Sequence, residues 1–267
     1  MKAHGINAAS ITYDAQDVLS AFTRANKIEY PMLSDVGSKV IRDFGILNTN
    51  IPSDHKMLYG IPWPGEYLIA PDGTVRDKVF LPSYEHRASA TEVIFRNYGA
   101  DAGGNAVEIR TGVLDATVTL STDRAFPGHE LGVALDIRLK PGWHIYGKPL
   151  PSNYRATELA FEGDLVDELT IELPAAKPML LKALNETLPV YADRVQAVGK
   201  LGVKWSPPMP APFLLALGKP IAPGAHKING ALRFQACSDT VCEPPEEIRF
   251  ELPMTIEKGV PPAPKPG

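Results

Sequence analysis

Proline stands at 26 of the chain's 267 positions, nearly twice the roughly 5% of ordinary usage. It has no amide proton, breaks helix interiors and is excluded from central strands. An all-helical fold is therefore disfavoured, and short elements divided by Pro- and Gly-containing turns are expected. The length allows one large domain or two ordinary ones, each with its own core. Hydrophobic residues at 44% and charged residues at 22% give the balance of a soluble globular protein. A formal net charge of −4 gives no cationic footprint for nucleic acid. No apolar run approaches the roughly 18 residues of a membrane-spanning helix. The start, Met1-Lys2-Ala3-His4-Gly5, lacks the apolar core of a secretory signal. Either the protein is cytosolic or a targeting segment is missing from this version of the chain.

The apolar periodicity changes along the chain. Residues 6–13 form a β-type run, and Asp14 is the expected N-cap of a helix over 15–27, which places Val18, Leu19, Phe22 and Ala25 on one face. A second helix is expected over 36–44, ending at Gly45. Strands at 66–70 and 74–80 flank Pro71-Asp72-Gly73, a hairpin signal, and a last helix spans 88–98. The small polar stretch Gly-Ala-Asp-Ala-Gly-Gly-Asn (99–105) reads as a linker. After it, residues 113–120, 131–139, 169–173, 195–203, 227–234 and 247–252 alternate apolar and polar with period two, the pattern of an antiparallel sandwich. The division expected is 1–98, a linker at 99–106, a sandwich at 107–256 and a Pro-rich extended tail at 257–267.

The chain has two cysteines, Cys237 and Cys242, so no disulfide framework holds it together. In continuous strand their Cα atoms would lie about 16 Å apart, beyond the reach of a disulfide; in a helix they would face different ways. A chain reversal through residues 238–241, where Ser238, Asp239 and Thr240 suit a turn, brings them opposite each other. A loop this short yields only about 2 kcal/mol of entropic stabilisation. Zinc would need four ligands, and neither a second Cys pair nor paired histidine spacing exists among the six histidines. An exchange-active bond, a structural bond, and free thiols or metal all remain open on spacing alone. Trp143 and Tyr146 would ordinarily be core residues, and His144 a surface histidine.

Phe234-Gln235-Ala236-Cys237, then Val241-Cys242-Glu243-Pro244-Pro245, resembles the active-site strand pair of the amino-terminal domain of DsbD, the disulfide bond corrector family. Gly142-Trp143-His144-Ile145-Tyr146 matches that family's Gly-aromatic-x-hydrophobic-Tyr signature, and the resemblance spans about residues 107–256. It implies an immunoglobulin-like antiparallel sandwich with Cys237 and Cys242 as redox residues. It further implies His144, Tyr146 and Trp143 around them, and a cap loop at 182–190 offering Leu184 and Leu188. The family's second cysteine forms the mixed disulfides, which assigns that role to Cys242 and the resolving role to Cys237. The family also implies a thioredoxin-like redox partner and a periplasmic or otherwise extracytoplasmic location.

In the first half, Tyr30-Pro31-Met32-Leu33-Ser34-Asp35, Phe44-Gly45-Ile46, Tyr59-Gly60-Ile61-Pro62-Trp63-Pro64-Gly65-Glu66-Tyr67-Leu68-Ile69 and Pro71-Asp72-Gly73 resemble the AhpC/TSA (peroxiredoxin) family over about residues 5–95. That implies a thioredoxin-like α/β fold with Pro64 as its cis-proline. The family's peroxidatic cysteine is missing, since no cysteine precedes Cys237. The family's preceding central strand and catalytic helix have no counterpart, so the expectation is an incomplete thioredoxin-like domain without peroxidase chemistry. A truncated longer protein and a degenerate docking module are the two ways to read it. The whole chain reads as a thiol–disulfide interchange protein without metal, nucleotide or flavin cofactor. The alternatives are an interaction module with a structural disulfide, and a fragment of a longer peroxiredoxin-like antioxidant protein.

Overall fold

A computed structural model describes residues 5–56, 58–80, 87–99, 104–205 and 221–258. The chain divides into two compact units between Ala88 and Ser89.

In the first unit, β1 (Ser10–Thr12) pairs in parallel with β2 (Met32–Ser34), with Ile11 opposite Leu33, and α1 (Gln16–Asn26) connects them. The expected cap at Asp14 is not made. Asp14 accepts the Thr12 hydroxyl at 2.6 Å, which ties it back to the strand, and Ala15 takes the N-cap position without a side-chain bond. α2 (Lys39–Asp43) is capped from a distance by Asp35, whose carboxylate accepts the N–H groups of Val40 and Ile41 at 3.1 and 2.9 Å. β3 (Gly65–Ile69) and β4 (Val75–Phe80) form the expected hairpin, and Asp72 holds its turn by accepting the Thr74 N–H and hydroxyl. β5 (Arg87–Ala88) closes the unit.

The apolar filling of this unit is thin: among its described residues the buried hydrophobics are Leu19, Ile41 and Val79. On α1 only Leu19 of the expected apolar face is buried, and Val18 remains 43% exposed, because the short β1–β2 pair covers little of the helix. The expectation of a cis bond at Pro64 is corrected. The cis peptide among the described residues is Lys148–Pro149, and the Trp63–Pro64 bond is trans. An X–Pro bond takes the trans form unless its surroundings select otherwise. Here Trp63 donates to the Ile46 carbonyl at 2.7 Å and leads directly into β3.

The second unit opens with α3 (Ala90–Tyr98), capped by Ser89, whose hydroxyl accepts the Glu92 N–H at 3.0 Å. Its strands are β6 (Asn105–Arg110), β7 (Leu114–Leu120), β8 (Arg124–Ala125), β9 (His129–Leu139), β10 (His144–Tyr146), β11 (Glu158–Glu162), β12 (Val166–Ile171), β13 (Lys177–Leu181), β14 (Glu186–Tyr191), β15 (Arg194–Val203), β16 (Gly224–Phe234), β17 (Ala236–Cys237) and β18 (Glu246–Ile256). One sheet runs β12-β15-β9-β7-β6 and the other β11-β16-β18-β8. Their inner faces meet in one core. Leu114, Val118, Leu131, Leu135, Val195 and Leu201 come from the first sheet, and Ile228, Leu232, Leu252 and Met254 from the second. These are the alternate positions that period two assigns to one face of each strand.

α3 belongs to this unit because Phe95, 1% exposed, lies on Gly132 of β9. A Cβ at that glycine would fall 2.7 Å from the ring. The compositional break at 99–105 thus separates α3 from β6. Residues 100–103, and the Pro-rich tail from 259 on, lie outside the described residues.

A smaller sheet, β13-β14-β10-β17, carries the cysteines. Its two faces do different work. Ile145, Tyr191 and Ala236 point into the sandwich core, while Tyr146, Leu188, Val190 and Cys237 form a second apolar cluster on the opposite face.

Candidate functional site

β10 lies between β14 and β17, with Tyr146 opposite Val190 and His144 opposite Cys237. Beyond β17 the chain reverses. The Ser238 hydroxyl accepts the N–H groups of Thr240 and Val241 at 3.3 and 3.2 Å, and the Ser238 N–H donates to the Val241 carbonyl at 2.7 Å. The Glu243 N–H then donates to the Ala236 carbonyl at 2.8 Å. These two backbone bonds bracket Cys237 and Cys242 as an antiparallel pair whose own N–H and C=O groups point away from each other. This is the pairing in which Cα atoms approach most closely. The separation is 4.0 Å, and the two sulfurs are bonded. The four-residue spacing thus forms a disulfide because a tight turn puts both cysteines in one cross-strand pair.

The two sulfurs are not equivalent. Cys237 is fully buried, whereas Cys242 is partly exposed. The Tyr146 hydroxyl lies 2.7 Å from Cys237 Sγ and 3.8 Å from Cys242 Sγ. A disulfide sulfur has no proton, so the hydroxyl is the donor. Burial pushes the Tyr146 phenol up to about 12, with Tyr154 and Glu186 adding to the shift, so it holds its proton throughout the neutral range.

Around this pair lies a cover that spans distant parts of the chain. Leu181, Leu184 and Leu188 of the β13–β14 hairpin, together with Leu150 and Tyr154, pack into the cluster containing both cysteines. The Tyr154 ring meets Tyr146 edge-on at 5.2 Å, and its hydroxyl donates to Glu186 at 3.0 Å. At the hairpin tip Lys182 Nζ is 2.7 Å from Asp239 in the cysteine loop. That hydrogen bond and charge, with a smaller contribution from His144, hold the Asp239 carboxyl below its ordinary range. On the other flank a groove of about 410 Å³ is lined by Pro141, Trp143, His144, Asp239 and Val241.

The structure therefore brings together Cys237, Cys242, Tyr146, His144, Leu184 and Leu188. Trp143 packs chiefly against the sandwich core while lining the groove. Pro64 belongs to the other unit. The segment expected as a cap loop, 182–190, is a turn followed by strand β14. Tyr154 and Leu150 lie outside every segment the sequence marks, since nothing in their local spacing distinguishes them, whereas Lys182 and Glu186 fall within the segment expected as the cap. Among the described residues, no three His, Cys, Asp or Glu side chains gather as a metal site, and no helix is long and apolar enough to cross a membrane.

Residues 116–253 match the family model described as thiol:disulfide interchange protein DsbD, N-terminal, and residues 1–78 match the AhpC/TSA family model. No curated protein matches the chain. Among solved structures, the N-terminal periplasmic domain of ScsB from Proteus mirabilis aligns at 13% identity and a TM-score of 0.39. The alignment covers 60% of this chain and 55% of that one, so the chain spans about half of its length.

Proposed function

Since the chain belongs to the family of the N-terminal domain of the thiol:disulfide interchange protein DsbD, we propose that it passes electrons through the Cys237–Cys242 disulfide to or from a thioredoxin-like partner. The unequal burial of the two sulfurs, with Tyr146 on the buried one, carries this reading. A partner thiolate attacks the partly exposed Cys242 Sγ and forms a new S–S bond. The Cys237–Cys242 bond breaks and its electron pair leaves on Cys237 Sγ, where the Tyr146 hydroxyl hydrogen-bonds the departing thiolate. The partner's second thiolate then attacks its own sulfur in the mixed disulfide. Cys242 is expelled, the partner leaves oxidised and this chain keeps two thiols. The same steps in reverse oxidise the chain.

Leu184 and Leu188 act in this reading as an apolar cover that limits access to the sulfurs. His144 and Trp143 line the groove that flanks the cysteine loop. The family supports an extracytoplasmic location, where disulfides persist.

The test is covalent trapping. Cys237→Ser should accumulate a stable mixed disulfide with a thioredoxin-like partner, and Cys242→Ser should not. Equal trapping by both variants would show the assignment of roles to be wrong. If neither traps, and the native bond resists a strongly reducing thioredoxin, the bond is structural and exchange is excluded.

A further inference from the structure

The hydrogen-bond pattern around Cys242 leaves one rung of backbone open. Cys237 directs its N–H and C=O towards β10, where it pairs with His144. Cys242, its cross-strand partner, must direct its own N–H and C=O to the opposite side, away from the sheet. No hydrogen bond from a described residue reaches either group. The neighbouring groups are satisfied. The Val241 N–H goes to Ser238 Oγ and its carbonyl takes the Ser238 N–H. The Glu243 N–H goes to Ala236, and its carbonyl takes Gln235 Nε2 at 3.1 Å. The next outward-facing positions offer no N–H: that of Thr240 is used by Ser238 Oγ, and Pro244 has none to give. Residues 240, 241 and 243–245 are all exposed, so the edge is open to a partner.

We infer that the partner docks by adding one extended backbone segment to this edge, in a single register. The rung at Cys242 donates its N–H to a partner carbonyl and accepts a partner N–H at its own carbonyl. The occupant is an extended stretch of the thiol partner beside its reactive cysteine, because the rung belongs to the same residue whose sulfur reacts. Strand addition of this kind takes its affinity from main-chain bonds. Here Cys242 is the one of positions 240, 242 and 244 with an N–H left to donate, so a two-bond rung forms at that residue, which aligns the attacking sulfur and keeps the edge from pairing at length with other chains. This inference rests on the exchange function proposed above.

Amide hydrogen exchange on the full chain tests it. The Cys237→Ser variant is linked through Cys242 either to a thioredoxin keeping a single active-site cysteine or to 2-mercaptoethanol, which makes the same bond without a backbone. The Cys242 N–H should exchange at least about tenfold more slowly in the thioredoxin adduct than in the small-thiol adduct, while the Val241 and Glu243 amides change little. Persisting protection of the β9 amides shows that the variant is folded; if it is not, Cys237→Ala serves instead. Equal exchange at Cys242 in both adducts overturns the backbone rung and leaves the exchange function standing. A chain that forms no mixed disulfide with thioredoxin overturns both.

Discussion

Tyr146 shows how one side chain can sort two chemically identical sulfurs. Its ring is fully buried and its hydroxyl meets Cys237 at 2.7 Å, so this donor favours negative charge on the inner sulfur. Tyr146→Phe keeps the ring and removes the donor. Stopped-flow reduction by thioredoxin should slow by about tenfold, the equivalent of one charge-assisted hydrogen bond at about 1.4 kcal/mol. An unchanged rate would show that the hydroxyl only fills space. The phenol also predicts a pH effect. Its folded pKa is raised from 10.0 to about 12, so its contribution to stability is complete below pH 10.0 and is lost as pH rises through about 12. Denaturant titrations should show the native chain losing stability over that window, and Tyr146→Phe losing less.

At the scale of elements, the β13–β14 hairpin reaches the cysteine loop through Lys182 and Asp239, an exposed ion pair between residues 57 apart. Lys182→Ala should raise the rate of reduction by a few-fold at most, since exposed pairs are weak and screened by salt. High salt should reproduce the effect in the native chain. Because Asp239 titrates below its ordinary value, the pair persists at neutral pH and is lost only as pH falls through the acid range. Leu188, on the same hairpin and 5% exposed, should matter more for stability: Leu188→Ala is expected to cost about 2–5 kcal/mol in chemical unfolding. The contact of α3 with β9 gives a separate check. Gly132→Ala would place a methyl group against the Phe95 ring and should destabilise the sandwich unit by about 1–3 kcal/mol. A neutral result would mean that α3 yields without cost.

Across the whole molecule, burial is divided unequally. The sandwich has a continuous core drawn from both sheets, whereas the described part of the first unit buries Leu19, Ile41 and Val79 and leaves Leu33, Val36, Ile69 and Val75 more than half exposed. Local opening free energy follows buried apolar contact. Amides of β1 and β3 should therefore exchange well before those of β9, β16 and β18. Comparable protection in both units would contradict this. The first unit also holds no thiol, so peroxide consumption by the chain, if any, should vanish in a variant lacking Cys237 and Cys242.

What the sequence determines by itself here is whatever is encoded between near neighbours. Alternation in 113–120, 131–139 and 195–203 already marks β7, β9 and β15, because a strand's two faces differ at every second residue. Pro71-Asp72-Gly73 marks its hairpin, and the turn residues between Cys237 and Cys242 already make their bond geometrically accessible. The tertiary structure alone decided the rest, because it depends on residues that meet only after folding. It assigned α3 to the sandwich through Phe95 and Gly132. It brought Tyr154 from one stretch of chain, and Lys182 and Leu184 from another, to the cysteine pair and its loop. It left Pro64 trans. It also made one sulfur inner and the other outer, a distinction that two cysteines five residues apart in sequence do not carry until Tyr146 and the β13–β14 hairpin close over one side of the pair.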